Sequence, residues 1–157
     1  MANLRILAAI TKPMIPVSYP QHDFRFKQED EKEWIFDGFR KQWVRLTPEE
    51  WVRQNMLQYL VQTLQYPPSL IAVEKEISLG ELKKRFDILI YRESTPWMII
   101  ECKEMGVPLS EAVLKQVLNY NISLRASYII ITNGSDTAGF DLRNGTAASI
   151  TSFPSFS

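Results

Sequence analysis

The chain has one cysteine and one histidine among its 157 residues. A single cysteine excludes an internal disulfide, and Cys102 lies in an apolar run, as is usual for a protein of the reducing cytosol. His22 alone cannot supply a zinc cluster, and a Ser-His-Asp triad or a histidine–metal nuclease would have to be built on it. We therefore expect a cytoplasmic protein whose chemistry does not depend on histidine.

Net charge and long apolar runs are also lacking. The 18 basic residues balance the 18 acidic ones, so any nucleic-acid contact must use local clusters of charge. The apolar run Leu4–Ile10 is too short to span a membrane and makes a poor signal peptide, so we expect no membrane association. One interpretation is that Met14 is the true start.

The composition that is present is typical of a globular protein, with 45% apolar and 23% charged residues. The length predicts one domain. We expect a partly irregular N-terminal extension over residues 1–32, a single domain over 33–152 and a short tail over 153–157.

The start of the chain predicts a hairpin followed by a helix. The runs Glu33–Phe36 and Gln42–Leu46 flank Asp37-Gly38, and the charged segment before them is expected to be irregular or edge-like. Thr47 then suits the N-cap of a helix, and Glu50 completes a capping box with it. The helix is expected to run to about Gln65.

The remaining pattern predicts an α/β fold in the order α-β-β-β-α-β, a mixed sheet flanked by helices with an added hairpin at each end. The second helix is expected to begin after Ser110, with Leu109 stapled onto Leu114, and to end near Leu124. The expected strands are Leu70–Ser78, Lys84–Tyr91, Trp97–Lys103 and Ser127–Thr132, with a last hairpin from Gly139–Leu142 and Ala148–Ser152.

Two of these strands carry charged residues next to apolar ones, and Asp87 interrupts the first of them. Strand alternation places Phe86 with Ile88 and Ile90 on one face and Asp87 on the other. In the next strand Glu101 and Lys103 share a face. A hairpin loop centred on Ser94 would pair Tyr91 with Trp97, Leu89 with Ile99, and Asp87 with Glu101.

Two carboxylates placed opposite each other need neutralisation, because like charges there are destabilising. A hard divalent cation neutralises them, and Lys103 adds a positive charge beside them. Ligands that are all oxygen favour Mg²⁺ or Mn²⁺ over zinc.

The first helix offers a third acidic group. Glu50 and Arg53 both fall within roughly 30° of the centre of its apolar stripe, so both charges need partners. Arg53 could serve as the buried partner of Glu50 or Asp87. Glu49 lies further round the helix, which favours Glu50 as the site residue. The stripe consists of Leu57, Leu60, Val61 and Leu64.

These residues resemble a known family. Asp87, thirteen intervening residues and Glu101-Cys102-Lys103 resemble the D…ExK core of the PD-(D/E)xK nuclease superfamily, with Phe86 where its name has proline. Three further motifs resemble the N-terminal nuclease domain of type I restriction enzyme R subunits, and the resemblance covers roughly 34–141. They are the helix opening 47–54, the strand-embedded pair 73–74 and the segment 106–110. Gln116-x-x-x-Tyr120 is similar to the QxxxY motif shared with helicase-associated nucleases.

The resemblance implies roles for these residues. Asp87, Glu101 and the backbone carbonyl of Cys102 would hold Mg²⁺ or Mn²⁺, and Lys103 would orient or deprotonate the attacking water. Glu50 would lie on the outer shell of the metal or on a second ion. Gln116 and Tyr120 would orient the site or touch the nucleic-acid backbone. The candidates for phosphate contact are Lys83, Lys84, Arg85, Arg40 and Lys41.

The leading hypothesis is a Mg²⁺-dependent endonuclease acting on DNA. The alternative is a nuclease-fold binding or assembly module that keeps the fold and the acidic site but has weak or absent cleavage. For the single residues, a simpler interpretation is that Asp87, Glu101 and Lys103 are ordinary strand residues and Glu50 is only a cap. A third hypothesis is a subunit of a restriction or defence system whose motor and specificity functions lie on other chains. Cleavage of both strands would favour a homodimer. The four tryptophans are expected to serve core and edge packing rather than as platforms for base stacking.

Overall fold

The computed structural model of the protein describes residues 14–157 and forms two sheets and two α-helices. The predicted apolar run Leu4–Ile10 lies outside the described residues. The elements are β1 Phe26–Glu29, β2 Lys32–Asp37, β3 Gln42–Arg45, α1 Pro48–Gln58, β4 Ile71–Leu79, β5 Leu82–Arg92, β6 Thr95–Cys102, α2 Glu111–Leu124, β7 Tyr128–Thr132, β8 Thr137–Asp141 and β9 Ala148–Ile150.

Strands β4 to β9 form a six-stranded sheet in chain order, here called the large sheet. All its neighbours are antiparallel except β6 and β7, which are parallel because α2 crosses between them. The mixed α/β class and the mixed sheet predicted from the sequence are therefore confirmed.

The two helices cover opposite faces of the large sheet. Val52, Met56 and Leu57 of α1 pack with alternate residues of β5, β6 and β7. Leu114 and Val117 of α2 pack with the intervening residues of the same strands. No helix within residues 14–157 is long and apolar enough to cross a membrane.

The helix boundaries follow the predicted caps with one exception. The Thr47 hydroxyl accepts the backbone N–H of Glu50 at 3.0 Å, and the Ser110 hydroxyl accepts that of Val113 at 3.3 Å. The helical conformation that begins at Pro48 continues to Thr63, close to the predicted end near Gln65, but its last part is not α-helical. After Gln58 the chain makes a wider π-helical segment, Tyr59–Thr63, because the Leu64 N–H bonds to the Tyr59 carbonyl, five residues back.

Strands β1, β2 and β3 form a separate three-stranded antiparallel sheet, here called the small sheet. The β2–β3 hairpin around Asp37-Gly38 is confirmed, and β1 is an edge strand in the segment expected to be irregular or edge-like. The inner face of the small sheet carries the buried Ile35. Beside it the Phe24 and Phe26 rings lie 5.1 and 6.2 Å from that of Trp51 on α1, so this face packs on the helix.

The tryptophans divide between two environments. Trp97 is buried, as expected of a core residue. Trp34 and Trp43 are only half-buried, and both lie on the outer face of the small sheet, outside the core. Strand alternation places them there, because Ile35 and Val44 take the inner positions.

The register between β5 and β6 agrees with the prediction only in its middle. Leu89 faces Ile99 as expected, but Tyr91 faces Pro96 and not Trp97. The reason is a two-residue turn at Glu93-Ser94, both with left-handed φ of 51° and 66°, and a bulge between Ile90 and Tyr91.

Asp87 and Glu101 are not ladder partners, because the β5–β6 ladder ends one pair earlier, at Ile88 and Ile100. The predicted alternation also fails at this point. Phe86 packs with Leu89 on the α2 side, while Ile88 faces α1.

The neighbouring strand is distorted at the same place. Glu74 in β4 has φ +53°, and the pair Glu74 and Asp87 is missing from an otherwise continuous ladder. The large sheet therefore has a local break centred on Asp87.

Candidate functional site

Asp87 is buried at the break in the large sheet. There its carboxylate bonds to the neighbouring strand, in place of the missing backbone pairing. One carboxylate oxygen accepts the backbone N–H of Cys102 at 2.9 Å, and the other accepts the Arg53 guanidinium at 2.5 Å. The hydrogen bond from the backbone and the one from the charged guanidinium together hold the Asp87 side chain in one orientation. The break therefore turns Asp87 from an ordinary strand residue into a fixed, buried carboxylate.

Glu101 lies next to Asp87 and is only 7% exposed. Burial, together with the neighbouring charge of Asp87, raises the pKa of Glu101 to about 7, although Lys84 and Lys103 partly oppose the rise. The Lys103 ammonium stands 3.6 Å from the Glu101 carboxylate. Negative charge at Glu101 is therefore incompletely compensated in the folded protein.

Arg53 connects the carboxylates that surround the break. Its guanidinium contacts Glu50 at 2.7 Å and Glu74 at 2.8 Å, in addition to Asp87. Burial lowers the pKa of Arg53, but Asp87 and Glu50 more than offset that effect and leave the pKa above its ordinary value. The group is thus a permanent cation that neutralises part of the cluster.

Glu50 and Glu49 have different surroundings. Glu50 accepts Arg40 and Arg53 at 2.7 Å each and Gln54 at 3.2 Å, so its carboxylate is committed to these donors and does not close the predicted capping box. Glu49 is half exposed, and burial followed by the charge of Asp87 raises its pKa. Of the two, Glu49 has the less occupied carboxylate.

Sequence reasoning missed Glu74 as a member of this cluster. The available signals were the strand-embedded pair 73–74, which was noted only as a motif, and the position of Glu74 directly after the apolar run Ile71–Val73. Arg40, proposed as a phosphate contact, instead bridges Asp37 and Glu50. The left-handed conformation of Glu74 could not be read from sequence because it is rare outside glycine.

The remaining predicted residues lie around this cluster at varying distance. Tyr120 stacks edge-on against Phe86 with ring centroids 6.2 Å apart, and the Lys84 ammonium lies 5.1 Å from the Tyr120 ring centroid. Gln116 is exposed on α2, and no hydrogen bond or ion pair within residues 14–157 joins it to the acidic cluster. Lys83 and Arg85 point to the surface and pair weakly with Glu76.

The chemistry of the donor set fits a hard cation. Five carboxylates gather here with five cations, and all the charged ligand atoms are oxygens. The carboxylates are Glu49, Glu50, Glu74, Asp87 and Glu101, and the cations are Arg40, Arg53, Lys84, Arg85 and Lys103. Within residues 14–157, however, no three His, Cys, Asp or Glu side chains are arranged to hold a metal ion. A bound cation would therefore use two carboxylates and complete its shell with backbone and water oxygens.

Cys102 can contribute only its backbone. Its side chain belongs to the core on the α1 side, and burial raises the pKa of the thiol well above its ordinary value, so a thiolate ligand is excluded. Its N–H points to Asp87. In a strand the N–H and C=O of one residue point to the same side, which places the Cys102 carbonyl on the Asp87 side as well.

Comparison with known proteins supplies two findings. The family model described as type I restriction enzyme R protein N terminus matches residues 48–154, more than half of the chain. A solved fragment described as an HsdR subunit of a type I restriction enzyme from Vibrio vulnificus YJ016 shares the fold at a TM-score of 0.52 and 22% identity, over 70% of this chain and 24% of that one. The chain therefore spans about a quarter of that structure. No curated protein matches the present chain.

Proposed function

The chain belongs to the type I restriction enzyme R protein N terminus family, and from that premise we propose that it is a Mg²⁺-dependent nuclease of the PD-(D/E)xK type that hydrolyses DNA phosphodiester bonds. Membership supports a nuclease-related role in a restriction system. The observation that carries the finer proposal is the pairing of two buried carboxylates, Asp87 and Glu101, with Lys103 beside them.

The element order supports the superfamily assignment. The core runs α1-β4-β5-β6-α2-β7, with Asp87 in the middle strand of three and Glu101 and Lys103 at the end of the next. This order and this placement are those expected from the resemblance. The small sheet precedes the core and lies outside the matched residues.

We assign the catalytic roles as follows. Asp87, Glu101 and the Cys102 carbonyl would hold Mg²⁺ or Mn²⁺, which when bound would polarise the scissile phosphate and acidify a water. Lys103 would hold the attacking water and take part in moving its proton. Arg53 would keep Asp87 aimed at the site, as it does in the structure through its 2.5 Å contact.

Glu49 and Glu50 would divide the role first given to Glu50. Glu50 is engaged by Arg40, Arg53 and Gln54, which suits a residue that positions Arg53. Glu49 keeps a half-exposed carboxylate close enough to Asp87 for their charges to interact. We therefore place Glu49 on the outer shell of the cation, and we assign Glu50 the role of positioning Arg53.

The test is cleavage of supercoiled plasmid and of single-stranded DNA in Mg²⁺ or Mn²⁺, with Asp87→Asn and Lys103→Met beside the parent chain. Loss of one member of such a site is expected to lower the rate by at least about a hundredfold. Lys75→Met, an exposed change on β4, is the control and should keep full activity. Intact DNA with the parent chain, or equal cutting by all variants, contradicts the proposal.

One observation favours a second candidate, a binding or assembly module with weak or no cleavage. Both oxygens of Asp87 are already occupied by protein donors, and no three-residue ligand group is present within residues 14–157. A module of this kind would bind DNA without cutting it, so the same assay distinguishes the two.

The partners follow from the family. We propose that the domain works with separate motor and specificity subunits of a type I system, and with DNA as substrate. With one site on each chain, cleavage of both strands of a duplex would require two copies of the domain, and a homodimer is the simplest such arrangement.

A further inference from the structure

The outer face of the small sheet carries three aromatic rings in adjacent positions. Phe36 and Trp43 are cross-strand partners with ring centroids 5.5 Å apart, and Trp34 lies two residues before Phe36 on the same strand. All three are half-buried, while the inner face packs on α1. Phe36 and Trp43 meet edge to face, with 70° between their ring planes, so the three rings form an uneven aromatic surface open on one side.

Cations border these rings on the same face. Arg25 lies 4.8 Å from the Phe36 ring centroid and 5.5 Å from that of Trp43. Lys27 lies 4.9 Å from the centroid of Trp43, and Arg45 lies 5.7 Å from that of Trp34. The register confirms the shared face, because Lys27, Trp34 and Arg45 form one row across the three strands.

Charge on this face is predominantly positive. Alternation adds Lys32 to the three cations above, and the only carboxylate in these rows is Glu29, which pairs with Lys27 at 2.9 Å. Four cations against one acid contrast with a chain whose net charge is zero. The long side chains of Arg25 and Arg45 are exposed, so they can leave the rings for an anionic partner.

We propose that this face, defined by Arg25, Lys27, Trp34, Phe36, Trp43 and Arg45 and here called the aromatic platform, binds single-stranded nucleic acid. Bases would stack on the rings, and phosphates would pair with the cations. A sheet that stacks about two or three bases on aromatic side chains is a recurrent way to hold a single strand. Duplex DNA does not fit, because its base faces are stacked and unavailable.

The platform is connected to the acidic cluster. Strand β2 carries Trp34 and Phe36 and ends at Asp37, whose neighbour in the turn, Arg40, bonds to Glu50 at 2.7 Å. A strand held on the platform would therefore lead toward Asp87. The binding is nevertheless independent of the proposed hydrolysis, because no platform residue belongs to the acidic cluster.

The test is fluorescence anisotropy with labelled oligothymidylate and oligouridylate of about twelve nucleotides, in EDTA so that no cleavage occurs. Arg25→Gln with Arg45→Gln should reduce the slope of log affinity against log salt by about 1.4, since each single-strand phosphate contact contributes about 0.7. Trp34→Leu with Trp43→Leu should weaken binding about tenfold or more with little change in that slope.

Arg92→Gln is the matched control, because its guanidinium also lies over a tryptophan, 5.7 Å from the Trp97 ring centroid, on another surface. It should bind within twofold of the parent. The exposed arginine pair keeps the proposal testable if the tryptophan pair fails to fold. Absence of binding by the parent chain, tighter binding of duplex, or an equal effect of Arg92→Gln overturns the proposal.

Asp87→Asn separates this proposal from the nuclease proposal. It should bind the single strand like the parent and lose cleavage. If the parent chain never cleaves DNA but the platform variants lose binding, the platform proposal is supported and the nuclease proposal is overturned. If the parent chain cleaves DNA and the platform variants bind like the parent, the nuclease proposal is supported and the platform proposal is overturned. Whichever oligonucleotide binds more tightly identifies the source of the strand as DNA or RNA.

Discussion

Glu101 is a buried carboxylate whose charge the folded protein does not fully balance. Asp87 has Arg53 and a backbone N–H, whereas Glu101 has the Lys103 ammonium at 3.6 Å. Such groups occur where a protein retains an unfavourable charge for function. Substitution of Glu101 therefore tests most directly whether the folded protein holds an incompletely balanced charge at this site.

Replacing Glu101 with glutamine should stabilise the protein at about pH 8 and have little effect at about pH 5. The folded pKa of about 7 lies above the ordinary value of 4.5, so the folded state holds a proton that the unfolded state releases. The parent chain therefore loses stability as pH rises from about 4.5 to about 7, by roughly 3 kcal/mol. Chemical denaturation at both values measures the effect. A variant less stable than the parent at pH 8 would contradict this assignment.

Arg53 should be the residue whose loss costs most stability at the site. Arg53→Met leaves the buried Glu50 and Asp87 and the partly exposed Glu74 without their shared cation, and removing one partner of a buried pair costs about 3–5 kcal/mol. Thermal and urea unfolding measure the loss. The control is Arg143→Met, whose ion pair with Asp141 is at the surface and should leave the midpoint nearly unchanged. Equal losses of stability in Arg53→Met and Arg143→Met would contradict the assignment of Arg53 as the shared cation of the buried carboxylates.

At the residue scale the sequence predicted which side chains gather but not how they connect. Asp87 and Glu101 were found because charged residues interrupt apolar strands, and Arg53 because its helical position faces the core. The hydrogen bond from the Cys102 N–H to Asp87 could not be predicted, since it depends on a local distortion of two strands. For the same reason Glu74 was overlooked.

At the scale of single elements, strand β4 carries the least expected feature. Glu74 adopts φ +53° between two ordinary strand residues, a conformation that costs a non-glycine residue about 1 kcal/mol. Its carboxylate reaches Arg53 at 2.8 Å. The backbone of β4 is thus strained at the position opposite Asp87 of β5.

Glycine should therefore be tolerated at Glu74 better than alanine. Both changes remove the carboxylate, but only glycine adopts the left-handed conformation without strain, so Glu74→Gly should be more stable than Glu74→Ala by about 1 kcal/mol. The adjacent Lys75 is the control, because in an ordinary strand position glycine should be the worse of the two. Urea midpoints of the four variants decide the matter. The same order at both positions would show that Glu74 is not strained.

Caps and turns explain why most elements were predictable. The caps Thr47 and Ser110 and the turn between the last two predicted strands act locally, and the structure has a helix start at each cap and the β8–β9 hairpin at the turn. The π-helical segment after Gln58 and the bulge at Ile90 were not predictable, because each is set by packing against distant strands.

At the scale of the whole molecule, the core that matches the family is extended by the small sheet. The inner face of this sheet packs on α1, and Arg40 ties its turn to Glu50. The sequence predicted the β2–β3 hairpin, but not that its outer face would present Trp34 and Trp43. Alternation along a strand predicts two faces without saying which of them a helix will cover.

The central claim for the whole molecule is that Asp87 and Glu101 form one divalent-cation site. Titration calorimetry with Mn²⁺ at about pH 8, where Glu101 is ionised, measures this directly. The parent chain and the surface control Glu81→Gln should each bind one ion per chain, whereas Asp87→Asn should bind none. No heat of binding from the parent chain, or equal binding by Asp87→Asn, would contradict the claim.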